Sequence, residues 1–537
     1  MKRVLVSCFA VGLLAHGADR AAEVHKKVGP LFQTSDRCFA CHNGMTTSAG
    51  EDASIGFAWR PTIMANSARD PYWQSGVRRE TLDHPEASKE IQDECSKCHM
   101  PMMRYESHAN GREGEVFAHL AFDSDKRGDK LAEDGVSCSL CHQITKDKLG
   151  TRESLVGNFV VDTTRKPGER QEYGPFKVDK GQNRIMLTSS EGYTPTQSDH
   201  IRQSELCATC HTLITKALGP AGEVIGELPE QVPYQEWLNS DYKDKQSCQN
   251  CHMPPFQEPV PVTKVLGVTR EDVSRHVFVG GNFFIQRMLN RYRADLSVIA
   301  LPEEFEAAAN RTVEHLETKT AQVSLDSVSV SGGRLQADIS VQNLSGHKFP
   351  TAYPSRRAWL HVTVKDRNGA VVFESGAIEP SGLIRGNDND ADAQKYEPHY
   401  TEITSPDQVQ IYEDIIVDRA GKITTGLLNA VRYIKDNRLL PRGFNKAGAA
   451  AEIAVIGDAA QDADFTGGGD KIRYSVNLAN AQGPFQVEAE LWFQPISYRW
   501  ANNLKPYDAF EPKRFLGYYE SMSSGSAVRV ARASVSR

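Results

Sequence analysis

The sequence predicts a multidomain chain, with a mainly α-helical, loop-rich N-terminal domain followed by an all-β antiparallel sandwich domain. Three observations predict it. Cys-x-x-Cys-His motifs crowd residues 38–252, apolar residues then recur at helical spacing, and from about residue 321 the apolar period becomes alternation. At 537 residues the chain exceeds the roughly 250–300 that one core usually serves, so at least two domains are expected. Hydrophobic content of 39% and charged content of 24% lie close enough to globular values to exclude a disordered chain.

Residues 1–18 read as a secretory signal peptide: a basic Met1-Lys2-Arg3, an apolar run from Val4 to Ala15, and small residues at Ala15-His16-Gly17. The run is shorter than the about 20 residues of a membrane span, and no other stretch competes. The mature chain is therefore expected to be exported, to the periplasm or beyond, with no transmembrane segment. Leu5-Val6-Ser7-Cys8 looks like a lipoprotein cleavage box, but too little apolar sequence precedes it and too much follows. The formal net charge is −7, and losing Lys2 and Arg3 makes it more negative, so nucleic acid is not an expected partner.

The cysteines decide the class of the first domain. Of eleven, Cys8 lies in the leader, and the other ten form five pairs of identical spacing, each followed by histidine. They are Cys38/Cys41/His42, Cys95/Cys98/His99, Cys138/Cys141/His142, Cys207/Cys210/His211 and Cys248/Cys251/His252. Two thiols three residues apart can each form a thioether to the same haem, and the next imidazole then lies beneath the iron as its proximal ligand. The pattern predicts five covalently bound haem c groups. Zinc sites need four ligands and no histidine after every pair, and a disulfide across two intervening residues would staple little of the chain.

Residues 19–320 are thus expected to form a pentahaem cytochrome c domain whose interior is the porphyrins themselves, wrapped by short helices and loops. Lys166-Pro167-Gly168 and Tyr173-Gly174-Pro175 punctuate those loops. From Pro302, the spacing of Phe305, Ala308, Ala309, Thr312, Val313 and Leu316 predicts a closing helix, with Glu303 and Glu304 in its first turn. The domain boundary is placed near residue 320. Over residues 321–537, alternation at 335–341, 360–364, 472–478 and 487–493 predicts half-buried strands, and Asn368-Gly369 a hairpin turn.

Each iron also needs a sixth ligand or an open position. His25, His84, His108, His119 and His200 precede attachment motifs, His276 follows the last, and His347 sits in a turn at the edge of the β-domain. These are the candidate distal ligands. His315 borders the polar side of its helix and His361 faces away from Leu360 and Val362, so both read as structural. Met100, Met102, Met103 and Met253 adjoin proximal histidines and are expected to pack on haem edges.

With these motifs the chain resembles the multihaem cytochrome superfamily that includes the tetrahaem carriers of hydroxylamine oxidation, over residues 30–350. Gly346-His347-Lys348-Phe349-Pro350-Thr351, with Arg356-Arg357 and Trp359, is similar to a segment of multihaem cytochromes that carry a C-terminal β-domain. Pentahaem nitrite reductases typically hold their catalytic haem through a Cys-x-x-Cys-Lys motif, and none occurs here. The resemblance implies an electron-transfer protein with mostly bis-histidine haems. The alternative is an oxidoreductase with one open-coordination haem acting on a small nitrogen or sulfur compound. Other redox proteins are the expected partners, and the acidic charge favours a basic one. Calcium is a lesser possibility at Asp388, Asp390 and Asp392 or at Asp462, Asp464 and Asp470, but neither set fits the EF-hand pattern, and both are read as turns.

Overall fold

Proline and aspartate open the first long helix. Asp70 accepts hydrogen bonds from the Tyr72 and Trp73 amides, Pro71 occupies the first turn, and the helix runs Pro71–Asp83. In this computed structural model, residues 30–537 are described apart from 121, 123–125, 191 and 352, so the predicted leader and His25 lie outside the described residues. Short helices dominate up to residue 319, joined by irregular chain and by a hairpin pairing Leu213–Leu218 with Val224–Gln231. The predicted closing helix is present as Pro302–Lys319, where the Glu304 carboxylate accepts from the Leu301 amide and Phe305, Ala308, Ala309, Thr312 and Leu316 are buried. Among the described residues, no helix is long and apolar enough to cross a membrane.

The two largest sheets form after residue 320. One orders Val371–Ser375, Arg357–Lys365, Gln486–Gln494 and Val528–Ser536, with Ile411–Tyr412 also on Arg357–Lys365. The other orders Glu402–Ile403, Gly469–Asn477, Arg334–Asn343 and Ala321–Ser331. Pairing is antiparallel except for Glu402–Ile403 beside Gly469–Asn477. The Asn368-Gly369 turn joins the strands expected of it, with Gly369 at φ 79°. Leu335, Ile339 and Val341 of one sheet share a core with Leu360, Val362 and Val364 of the other, the two inner faces of a sandwich. A third sheet of Ile423–Thr424, Asp414–Asp418 and Ala430–Asp436 reaches back to the hairpin, where Tyr433 donates to the Pro229 carbonyl at 2.8 Å.

Three features differ from the sequence expectation. The C-terminal region is not all-β: helix Phe510–Met522 packs on Pro71–Asp83, with Phe515 against Tyr72 at 5.0 Å between ring centres. The sandwich core also runs through residue 320, taking in Phe283, Phe284, Met288 and Leu289 as well as Phe305 and Leu316, because the inner faces of both helices need cover. Finally, the N-terminal region has an ordinary apolar cluster, in which Leu31, Phe32, Val77, Met100, Met102, Met103 and Leu140 are buried together. Three of the four methionines expected at haem edges lie in that cluster, while Met253 lines the cavity described next.

Candidate functional site

Each attachment motif lies on a short helical turn. Cys38 lies in Ser35–Phe39, the second motif ends helix Ser88–His99, and the others occupy Cys138–Cys141, Ser204–His211 and Cys248–His252. One helical turn brings residues i, i+3 and i+4 to one side, which aims both thiols and the histidine at the same space. All five turns face a single cavity of about 2600 Å³, lined by every one of the ten cysteines and five histidines. One drug-sized ligand occupies about 300–1,000 Å³, so this space suits several large groups.

The motifs adjoin one another in an order that differs from chain order. The Cys38 side chain neighbours that of Cys138, Cys98 neighbours Cys210, and Cys207 neighbours Cys248. Cys141 also lies within electrostatic range of Cys210. First therefore adjoins third, third approaches fourth, and fourth meets both second and fifth.

Backbone carbonyls orient the histidines. Nδ1 of His42 pairs with the Val262 carbonyl at 2.6 Å, His99 with Ser67 at 3.0 Å, His142 with Tyr173 at 2.5 Å and His252 with Val279 at 2.5 Å. A carbonyl only accepts, so Nδ1 carries the hydrogen and Nε2 keeps its lone pair, the tautomer a metal needs. Burial lowers the pKa of His42 and His142, and takes that of His99 to about 4, which keeps these rings neutral.

Two predicted distal histidines meet proximal ones. His276 lies 6.4 Å from His142 between ring centres, with planes 20° apart, and His347 lies 6.3 Å from His252, with planes 11° apart. Their Nδ1 atoms pair with the carbonyls of Ser274 at 3.1 Å and Lys348 at 2.9 Å. A metal–imidazole bond of about 2.0 Å on each side, with about 1.1 Å from each nitrogen to its ring centre, sets a separation of about 6.2 Å. Both pairs therefore fit one iron between two imidazoles.

The other candidates are placed elsewhere. His200 is held at both nitrogens, by the Ser198 hydroxyl at 2.6 Å and the Ile144 carbonyl at 2.8 Å. His108 Nε2 is hydrogen-bonded to Asp93 at 2.6 Å and its side chain is 41% exposed, and His119 Nδ1 is hydrogen-bonded to Asp129 at 2.6 Å. His84 is buried at the end of Pro71–Asp83, with Nε2 unpartnered, but does not line the cavity. His84, His108, His119 and His200 do not line the cavity, although Glu86 and Ile201, close to two of them in sequence, do.

His315, read as structural, does line the cavity, 6.5 Å from His252 between ring centres with planes 35° apart. The signal was present in the sequence: Thr312, His315, Leu316 and Lys319 stand at i, i+3, i+4 and i+7, and all four line the cavity. The motif pattern gave no hint of Tyr72, Tyr353 and Arg356, which form a polar stretch of the wall.

The proposed calcium loops are occupied from within. Asp390 accepts from Arg357 at 2.8 Å and from the Ile384 amide at 2.9 Å, one bond to each oxygen. Asp462 and Asp470 cluster with His399, but His399 Nδ1 faces the side-chain amides of Gln410 at 2.9 Å and Asn437 at 3.1 Å. Both amides donate, so the ring hydrogen sits on Nε2 and points at Asp462, 3.1 Å away. That geometry is a hydrogen-bonded core rather than a cation site.

No protein-family model matches the sequence, and a search of curated proteins finds no match. The fold of the chain does have a counterpart among solved structures. It is similar to the crystal structure of a penta-haem cytochrome c552 from Thermochromatium tepidum, at 15% identity and a TM-score of 0.53, over 94% of this chain and 99% of that one.

Proposed function

We propose that this chain is an exported multihaem c-type cytochrome that holds five haems in one cavity and carries electrons through them. The observation that carries the reading is the pair of facing imidazoles, His142 with His276 and His252 with His347, at the separation one iron requires. In this reading the ten cysteines hold the groups covalently, His42, His99, His142, His211 and His252 are proximal ligands, and His276 and His347 are distal ones. Bound haem would supply one-electron redox centres at each motif. The chain's own part is to fix imidazole tautomers, exclude water and keep adjacent motifs within contact.

The test is electron paramagnetic resonance of the purified holoprotein with His276→Ala and His347→Ala. Each substitution is expected to convert one haem equivalent from low to high spin, with the total haem content unchanged. Unaltered spectra in both variants would overturn the ligand assignment.

A second reading, an oxidoreductase with an open haem acting on a small nitrogen or sulfur compound, is favoured by one observation. Among the described residues no imidazole faces His42, His99 or His211 in the same way, and Tyr72, Tyr353 and Arg356 line the cavity. Rapid cyanide binding by a high-spin haem in the native protein would support it.

A further inference from the structure

Exposed residues line the cavity at several places, and two of these differ in charge. At the first, Val178 and Val265 both line the cavity and are 40% and 38% exposed. The apolar surface continues outward through Leu266 and Val268, 62% and 51% exposed. The two segments are tied together: Gln182 donates to the Leu266 carbonyl at 3.2 Å, and Arg270 to the Lys177 carbonyl at 2.8 Å. Lys177, Lys180, Arg184 and Lys264 lie in the same two segments and are exposed. Of the acids nearby, Asp179 caps helix Lys180–Ser189, while Glu271 and Asp272 lie beyond the hairpin strand. The patch is anchored to the first motif, since the Lys264 amide donates to the Cys41 carbonyl at 3.0 Å and His42 is held by the Val262 carbonyl.

At the second mouth, beside the second motif, Glu86, Glu90, Glu94 and Glu227 are exposed and line the cavity, with Lys216 among them. An acidic chain that gathers lysine and arginine around one apolar opening has made a local exception to its own charge. Apolar centres with a charged rim are how transient protein surfaces combine contact with steering.

We propose that the opening at the first motif, formed by residues 177–184 and 264–268, is the docking surface for an acidic electron-transfer protein. This rests on the reading that the first motif holds a haem. One electron crosses per encounter: the centre on one protein is oxidised, that on the other is reduced, and no bond or proton changes hands. The acidic mouth suits a basic partner, the kind favoured by net charge alone.

The test uses the holoprotein and an oxidised plant-type ferredoxin, an acidic one-electron carrier, as the probe, with binding measured calorimetrically at low and high salt. Native protein is expected to bind it, more weakly as salt rises. Lys177→Glu/Lys180→Glu/Arg184→Glu is expected to weaken binding by at least about tenfold at low salt, with a smaller effect at high salt. Leu266→Ser/Val268→Ser should weaken it at both. Glu86→Lys/Glu90→Lys/Glu227→Lys, at the other mouth, should leave it unweakened. Equal binding by the native protein and the basic-mouth variant would overturn the proposal. So would a basic-mouth variant that keeps the ferredoxin but loses native binding to vesicles of three parts phosphatidylcholine to one part phosphatidylserine, because the patch would then be a membrane surface. Haem content, measured alongside, separates the two claims: native protein without haem removes the reading beneath, whereas full haem with unaltered binding removes only the docking surface.

Discussion

His361 shows how one residue on the outer face of a sheet acquires a pH-dependent role. Its ring nitrogens lie 3.2 Å from Glu490 and 3.2 Å from Glu374. Burial opposes its charge, but the hydrogen bonds to the two carboxylates outweigh it and raise the pKa above 6.5. Glu490, held by His361 against the cost of burial and helped by Arg529 at 2.8 Å, is lowered from 4.5 to about 2. The raised histidine adds stability that is complete below its unfolded pKa and lost as pH rises through the folded one. The depressed glutamate adds stability that is present above 4.5 and lost as pH falls towards about 2. His361→Gln is therefore expected to cost about 1 kcal/mol at about pH 6, a difference that closes by about pH 9 in denaturant unfolding. A gap of constant size would refute it. The alternation of Leu360 and Val362 already placed this ring on the outer face, but its partners come from Val371–Ser375 and Gln486–Gln494, strands whose order the local pattern does not contain.

Among elements, the turn that carries His347 is the most constrained. At Gly346 an added Cβ would stand 3.3 Å from the Trp237 ring, which would have to shift to admit it. Lys348 is fully buried: Nζ donates to Asp436 at 2.7 Å and its amide to Glu236 at 3.0 Å. Arg438 completes the network, 2.8 Å from Asp436 and 3.1 Å from Glu236. The network joins helix Pro233–Leu238 to the strand Ala430–Asp436, so the segment before the fifth motif and the β-region hold His347 between them. Removing one member of a buried network strands its partners, and Lys348→Met is expected to destabilise the protein by about 3–5 kcal/mol in thermal unfolding. It should also broaden or lose one low-spin haem signal, and an unaltered spectrum would show that His347 is positioned without it. The sequence places His347 in a turn at the edge of the β-domain but does not show what holds it, because the partners of Lys348, Glu236 and Asp436, lie 112 and 88 residues away. Helix Phe510–Met522 does carry a local signal: Phe515, Tyr518 and Tyr519 stand at i, i+3 and i+4 and are buried.

On the scale of the whole molecule, the sandwich core extends across residue 320, so a cut there would expose Phe283, Phe284, Met288, Leu289 and Leu316. A chain of residues 1–320, produced in a host competent for cytochrome c maturation, is expected to be insoluble or to lack one low-spin haem, as His347 is absent. A soluble fragment with the full low-spin complement would mean that the β-region supplies neither core nor ligand. Path continuity is another property of the whole: five motifs spread over more than two hundred residues face one cavity, and thiol contacts link first to third, second to fourth and fourth to fifth.

What the sequence by itself determined is chemistry and period. Cysteine spacing puts two thiols within reach of one group because one helical turn sets that reach, and alternation specifies strands because side chains switch faces at each residue. Only the tertiary structure decided which imidazole meets which. His276 and His347 are two of seven candidates in the sequence, and His315, at the border of its helix's polar side, lines the cavity as well. A sixth ligand is chosen by distance and ring orientation across a cavity, and those come from packing among segments remote in the chain.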